Sequence, residues 1–146
     1  MKSKIVVVGL GRSGIGAAKL LNSEGYEVII LESCQNPRFK SYANGLRRKG
    51  IQVELGKPLA LLSFQPWLDQ LKYVVISPAI PWNHKTLNEL RTIGVEIKGE
   101  ISLTWERLKD IPWIGITGTN GKTTVTHMLR HVFQLNQMNA PMAGNV

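Results

Sequence analysis

The apolar run Ile5–Val8 breaks off into Gly9-Leu10-Gly11-Arg12-Ser13-Gly14, and this junction restricts the fold more than any other stretch. A short apolar run bounded by glycine, Lys4–Gly9, reads as a buried strand. The residues that follow carry Ala17, Ala18, Leu20 and Leu21 on a helix, which stops near Gly25, a natural C-terminal cap. A strand that turns straight into a helix through glycines is the opening of a parallel βα unit.

The rest of the chain repeats that rhythm. Glu27–Glu32 reads as a strand, and 34–40, with Pro37, as a loop. Ser41–Lys49 reads as a helix ended by Gly50, and Ile51–Leu55 as a strand. Pro58–Gln70 holds two prolines and is compatible with two short helical turns. Tyr73–Ser77 is a strand stopped by Pro78 and Pro81. Asn83–Ile93 is a helix with Leu87, Leu90 and Ile93 at helical spacing. Val95–Lys98 is a strand and Glu100–Leu108 a helix. Trp113–Ile116 is a strand, and Thr123–Leu135 is a helix with Val125, Met128, Leu129 and Val132 on one face. Alternation of this kind predicts an α/β fold: a Rossmann-like parallel sheet domain over residues 1–98, then the start of a P-loop ATPase-type α/β domain over 99–146. One strand and one helix leave a sheet edge unpaired and an apolar helix face uncovered, so the second segment reads as truncated.

Composition narrows the class. The 146 residues are 43% hydrophobic and 19% charged, as in globular proteins. No apolar run approaches the ~18 residues of a membrane span. The start is basic and then apolar, but Ile5–Val8 is too short for a signal-peptide core and glycines follow at once, so a cytoplasmic protein is expected. The single Cys34 excludes an internal disulfide framework. The net charge of +8 comes from scattered residues, the longest basic run being Arg47-Arg48-Lys49 at a helix end. No aromatic–basic stripe suggests nucleic acid, and bound phosphate groups account for part of the charge more economically.

The first glycine turn has the pattern G-x-G-x-x-G between strand and helix. Such a turn lets the backbone approach a diphosphate and presents the free N–H groups of a helix N-terminus. Glu32 closes the next strand 23 residues after Gly9, where a dinucleotide-binding domain places its ribose acid. The bland reading is that the glycines only allow strand and helix to pack closely. The functional reading is NAD, or another anionic nucleotide such as a UDP-sugar.

A second glycine turn, Gly118-Thr119-Asn120-Gly121-Lys122-Thr123-Thr124, follows WIGI and opens the last helix. This is a P-loop arrangement: backbone N–H groups cradle phosphates, Lys122 adds a point charge between the β- and γ-phosphates, and the Thr123 hydroxyl suits Mg²⁺. Ile116 stands where the general pattern has glycine, which marks a variant loop. His84, His127 and His131 form no metal-ligand pattern.

TGTNGKTT resembles the ATP loop of the Mur ligases and their folylpolyglutamate synthetase relatives. Within that family, VVVGLGRSG (Val6–Gly14), ISPAIPWNHKTLNELRTIGVEIKGEISL (Ile76–Leu103), Asn120 and the closing AGNV resemble the branch that adds D-glutamate. The resemblance covers essentially the whole chain, and about the first third of a full ligase. It implies that the first domain holds the UDP part of UDP-N-acetylmuramoyl-L-alanine and the second holds ATP with Mg²⁺. It implies an amide ligation through an acyl phosphate, for peptidoglycan precursor synthesis, by an enzyme acting as a monomer and needing neither nucleic acid nor membrane.

Carried over by position, Gly11, Arg12 and Ser13 meet the diphosphate, and Glu32 and Ser33 border the uracil–ribose end. Ser77, Pro78 and Ala79 line the same pocket, and Asn145 touches the substrate from the second domain. Gly118, Thr119, Asn120, Gly121, Lys122, Thr123 and Thr124 bind ATP, with Lys122 the catalytic cation and Thr123 the metal ligand. The family's further metal ligands, including a carbamylated lysine, lie downstream. Cys34 and Ala79 depart from the family pattern, which has a basic residue and a glycine there. Two other readings stay open on the residues alone: a nucleotide-binding module without catalysis, and a NAD-dependent oxidoreductase built on Gly9–Gly14 and Glu32.

Overall fold

The computed structural model describes residues 4–144. It divides into two compact units, one ending at Leu108 and one beginning at Lys109.

The first unit is built on five parallel strands: β1 (Lys4–Val8), β2 (Glu27–Glu32), β3 (Gln52–Leu55), β4 (Leu71–Ile76) and β5 (Glu96–Gly99). Their order in the sheet is β3-β2-β1-β4-β5. Each strand after β1 is reached by a crossover, because parallel neighbours cannot be joined by a hairpin. The crossovers are α1 (Arg12–Ser23), α2 (Pro37–Arg47) and α3 (Lys85–Thr92), with two short 3₁₀ turns at Leu61–Ser63 and Gln65–Gln70 before β4. These turns resolve the proline-bearing segment 58–70 as helical turns.

The strands are apolar on both faces because both faces are covered. Ile5, Val7, Val28, Ile30, Tyr73 and Val75 point into one core, which α1 and α2 close with Ala17, Ala18, Leu21, Ala43 and Leu46. Val6, Val8, Ile29, Leu31, Val74 and Ile76 point into the other, with Phe64, Trp67, Leu87 and Leu90. The period-two alternation along each strand therefore separates two cores rather than core from solvent.

Two expectations from the sequence need correction. Pro37 does not lie in a loop: it is the first residue of α2, where its missing N–H costs nothing, and the Asn36 side chain caps the helix by accepting from Phe39 N at 2.9 Å. Residues 113–116 form no strand. A strand needs a ladder to satisfy its backbone groups, and no strand is formed at 113–116 or in the rest of the second unit among the described residues.

The helix α4 (Glu100–Leu108) belongs to the first unit. Leu103 is 1% exposed within the core under α1. Arg107 donates from Nη2 to Glu24 Oε2 at 2.6 Å and also through Nε to the other oxygen, a two-pronged tie between α4 and α1. That pairing holds the Glu24 carboxyl below its usual pKa. In the second unit, α5 (Lys122–Leu135) leaves Val125, Met128, Val132 and Leu135 exposed, and none of its residues is buried.

Leu103→Ala should destabilise the first unit by about 3 kcal/mol through loss of buried side chain and the cavity left behind. Urea unfolding followed by far-ultraviolet dichroism measures this. A cost under ~0.5 kcal/mol would show that α4 is not part of that core.

Candidate nucleotide-binding site

The parallel sheet gathers the C-terminal ends of β1, β2, β4 and β5 along one edge. The chain leaves β1 toward β2 and β3, then returns to the other side of β1 for β4 and β5, so the strand order reverses between β1 and β4. Ligands of open α/β sheets sit outside such a reversal point. A cleft of about 250 Å³ lies there, lined by Val8, Leu31, Leu59 and Ile80 and by the polar or small residues Gly9, Glu32, Ser33, Lys57, Ser77 and Ala79.

The glycine turn reaches this edge by close packing. Gly9 has φ +104°, a conformation open to glycine, and donates its N–H to Leu31 O at 2.8 Å. A side-chain carbon on Gly14 would sit 2.1 Å from the Gly9 carbonyl oxygen, so α1 lies directly against the turn. Gly11 is different: a side-chain carbon there would meet nothing within 4 Å. Close packing therefore explains Gly14 and leaves Gly11 unexplained by the fold. Gly11 caps α1 with no side-chain hydrogen bond. The N–H groups of Arg12, Ser13 and Gly14 then head the helix with no acceptor inside it, and with the positive end of the helix dipole behind them.

Glu32 and Ser33 lie at the end of β2 in the cleft. The Glu32 carboxylate is already engaged. Its Oε2 accepts from Leu10 N at 2.8 Å, and its Oε1 accepts from Cys34 N at 2.9 Å and from Ser33 Oγ at 3.3 Å. Glu32 thus fixes the glycine turn to the β2 loop, in addition to facing any ligand. Ser77 follows β4, accepts from Ala79 N at 3.4 Å through Oγ, and lines the same cleft. Pro78 does not line it; Pro78 lies with Ser77 in a second cleft of about 380 Å³, which also takes Trp82 and Glu100. Gly11, Arg12 and Ser13 sit at the head of α1 rather than in the lining of either cleft.

Sequence reasoning assigned no role to Lys57 and Glu100. Both stand at a strand's C-terminal end, Lys57 just beyond β3 and Glu100 just beyond β5, and that position was the readable signal. Glu100 is 8% exposed, its Oε1 has no hydrogen-bond partner, and burial pushes its carboxyl pKa up while a hydrogen bond with the Ser13 hydroxyl pulls it down.

The second unit holds the other turn. Gly118 (φ +151°) and Gly121 (φ +77°) both adopt glycine-favoured backbone, and Gly121 caps α5 without a side-chain bond. Lys122 Nζ donates to Gly118 O at 2.5 Å and to Thr119 O at 3.3 Å, lying across the loop. Thr119, Asn120, Thr123 and Thr124 are exposed around this loop. The turn thus offers uncapped helix N–H groups, an ammonium and a hydroxyl, a set that fits a nucleotide's phosphates. For Mg²⁺ it offers threonine hydroxyls, Thr123 at the start of α5 among them; no group of three or more His, Cys, Asp or Glu converges among the described residues. Asn145 lies outside the described residues.

Residues 3–99 match the family described as Mur ligase MurD-like, N-terminal domain. The chain belongs to that family. Residues 116–145 match the Mur ligase middle domain. Over 144 residues, 99% of the chain, it is 59% identical to a protein named UDP-N-acetylmuramoylalanine--D-glutamate ligase from Prochlorococcus marinus (strain MIT 9313), covering 31% of that relative. A protein of the same name from Synechococcus sp. (strain CC9902) is 58% identical over 97% of the chain and 30% of its own length. The chain therefore spans about a third of the curated relatives it matches. Among solved structures, UDP-N-acetylmuramate-alanine ligase from Thermotoga maritima aligns with TM-score 0.54 and 27% identity, over 92% of this chain and 30% of that one. A murein peptide ligase from Psychrobacter arcticus 273-4 shares the fold with TM-score 0.61 at 21% identity, over 92% of this Mur ligase chain and 27% of its own.

The two glycines should separate in a paired substitution. Gly14→Ala forces a backbone shift and should cost about 2 kcal/mol or more in urea unfolding. Gly11→Ala should stay within ~0.5 kcal/mol of the parent. Equal costs at both positions would show that the turn is built for packing alone.

Glu100 gives a pH prediction. Its folded pKa lies above the unfolded value of about 4.3, so ionising it opposes folding. That penalty is absent below the unfolded pKa and complete above the folded one. Glu100→Gln should therefore match the parent's stability at acid pH and exceed it increasingly as pH rises through that window. A stability difference that is flat with pH would contradict the raised pKa.

Proposed function

We propose that this chain is the nucleotide-binding part of an ATP-dependent amide ligase that joins D-glutamate to UDP-N-acetylmuramoyl-L-alanine during peptidoglycan precursor synthesis. The observation that carries the reading is the presence of two phosphate-type turns on one chain, each heading its own helix: Gly9–Gly14 before α1 and Gly118–Thr124 before α5. One dinucleotide needs one such turn. A ligase that binds a UDP-linked substrate and ATP needs two. The family match and the names of the 59% and 58% identical relatives point the same way.

In this reading the uridine end takes the cleft between Glu32, Ser33 and Ser77, and the diphosphate takes the head of α1 at Gly11, Arg12 and Ser13. Ala79, which lines that cleft, bounds it beside Ser77. Pro78, which stiffens the loop beyond β4, and Asn145 complete the substrate contacts. Gly118 to Thr124 hold ATP. Lys122 neutralises charge on the transferring phosphoryl group, which is the main protein contribution in phosphoryl transfer. Mg²⁺, when bound at the Thr123 hydroxyl, supplies charge neutralisation between the phosphates. The L-alanyl carboxylate becomes an acyl phosphate, and the amine of D-glutamate displaces that phosphate to form the amide. The protein acts in the cytoplasm, as a monomer; no helix among the described residues is long and apolar enough to cross a membrane.

In a complete ligase carrying these residues, Lys122→Ala should lower phosphate release by roughly 10³-fold. Binding of the UDP substrate, measured by calorimetry, should stay within about twofold, because Lys122 serves the other turn. Ligation at parental rate in that variant would reject the assignment of the second turn.

A further inference from the structure

We infer that Lys57 is a specificity-determining residue of the first cleft: its ammonium donates to the C4 carbonyl of a pyrimidine base and so selects uridine over cytidine nucleotides. This rests on the reading of that cleft as the uridine site.

Lys57 stands two residues beyond β3 and is the cation of the cleft lining. The segment that carries it is fixed on both sides. Lys57 N donates to Glu32 O at 3.0 Å, which ties the lysine to the end of β2. Gln35 Nε2, from the loop after β2, donates to Leu55 O at 3.1 Å. The same side chain lies across Gly56 (φ +69°), where a side-chain carbon would come 1.9 Å from Gln35 Nε2. On the other side, Ser63 Oγ donates to Pro58 O at 2.8 Å. The buried Thr86 of α3 donates through Oγ1 to Leu59 O at 2.9 Å. The backbone of Lys57 is thus held in place, while its ammonium has no hydrogen-bond or ion-pair partner among the described residues. Glu32, the acid of the lining, does not answer it. Both oxygens of that carboxylate are taken, by Leu10 N, Cys34 N and the Ser33 hydroxyl.

The order of the strands decides which part of a nucleotide Lys57 meets. In the uridine reading the diphosphate takes the head of α1, directly after β1. β2 lies beside β1, and β3 lies beyond β2. Val8 pairs with Leu31, and Glu32 with Leu55, so these strand ends are level. With ~4.8 Å between neighbouring strands, the end of β3 stands roughly 10 Å from β1 along the edge. That is the reach of a ribose and a base, with the ribose beside Glu32 and the outer edge of the base toward Lys57. Val8, Leu31, Leu59 and Ile80 supply apolar surface for the ring faces. An ammonium has three donors and no acceptor. Uracil presents a carbonyl oxygen at C4, an acceptor, where cytosine presents an amino group, a donor. Lys57 therefore completes a uracil and sets donor against donor with a cytosine. A site built to bond one group rejects the analogue that lacks it.

The test is calorimetric titration of this chain with UDP-glucose and with CDP-glucose, which share sugar and diphosphate and differ only in the base. The parent should bind UDP-glucose at least ~10-fold more tightly than CDP-glucose. Lys57→Met keeps the length of the side chain and removes its donors. It should weaken UDP-glucose by about 10-fold and bring the two ligands near parity. CDP-glucose should stay within ~2-fold of its parental affinity, because it makes no bond to the ammonium. Lys57→Arg keeps the charge and donors, and should retain a preference for UDP-glucose of at least ~3-fold. Both variants keep the backbone bond from residue 57 to Glu32, so the loop is left intact.

A preference for UDP-glucose that survives unchanged in Lys57→Met overturns the inference. So does equal weakening of both ligands, which would put the ammonium on a group they share. In either case UDP-glucose still binds the parent, and the uridine reading stands without Lys57. A parent that binds UDP-glucose and CDP-glucose equally also overturns the base selection. A parent that binds neither ligand overturns the uridine reading and the inference with it.

Discussion

The contact between Gly14 and the Gly9 carbonyl sets the geometry of the whole sheet edge. Because no side chain separates them, α1 begins immediately at the end of β1 instead of after a longer loop. The uncapped N–H groups of the first helical turn are thereby delivered to the place where the strand order reverses. Had the helix started a few residues later, its positive end would face solvent to one side of the cleft. The close packing and the presentation of those N–H groups are therefore consecutive consequences of one short approach. A side-chain carbon at Gly14 would meet backbone whereas one at Gly11 would meet nothing, so close packing accounts for the first glycine and not for the second.

Two acids stand on this edge, in opposite circumstances. Glu32 is held by the N–H groups of Leu10 and Cys34, so its charge is satisfied locally and it works as a clamp between two loops. Glu100 is buried with one oxygen unpartnered and only a hydroxyl for company. A buried carboxylate without a cation or backbone donors is a poor device for stability, because desolvation disfavours its charge.

The sheet was legible in the sequence because β1, β3 and β5 end at a glycine, β4 ends at the Pro78 turn and β2 is the apolar run Val28–Leu31 between two glutamates, and the helix periods of Leu87–Leu90 and Ala17–Leu21 are unmistakable. Asn36-Pro37 was misread as loop: proline signals a break in general, and only a capping side chain before it reveals a helix start. The α4 boundary depended on Leu103 entering a core supplied by distant segments, which local pattern does not display. In the cleft, Glu32 was legible from its place at the end of β2, whereas Ser33 and Ser77 came only from the family resemblance. Lys57 lies outside any motif and Glu100 falls within the Ile76–Leu103 segment without a role of its own, so their place in the clefts emerges only when β3 and β5 are set beside the central strands.

The two phosphate turns also differ in what holds them in shape. The first depends on tertiary partners, with Gly9 bonded to Leu31 and Leu10 to Glu32, over separations of 22 residues. The second is maintained by its own neighbours: Lys122 returns to Gly118 and Thr119, and Val125 N donates to Gly121 O at 2.9 Å. A turn held locally keeps its outline even though residues 113–116 form no strand. A turn held by long-range bonds is only as rigid as the sheet around it. Perturbing β2 must therefore loosen the first glycine turn, through the Gly9 and Leu10 bonds. The second loop's backbone has no corresponding dependence on β2.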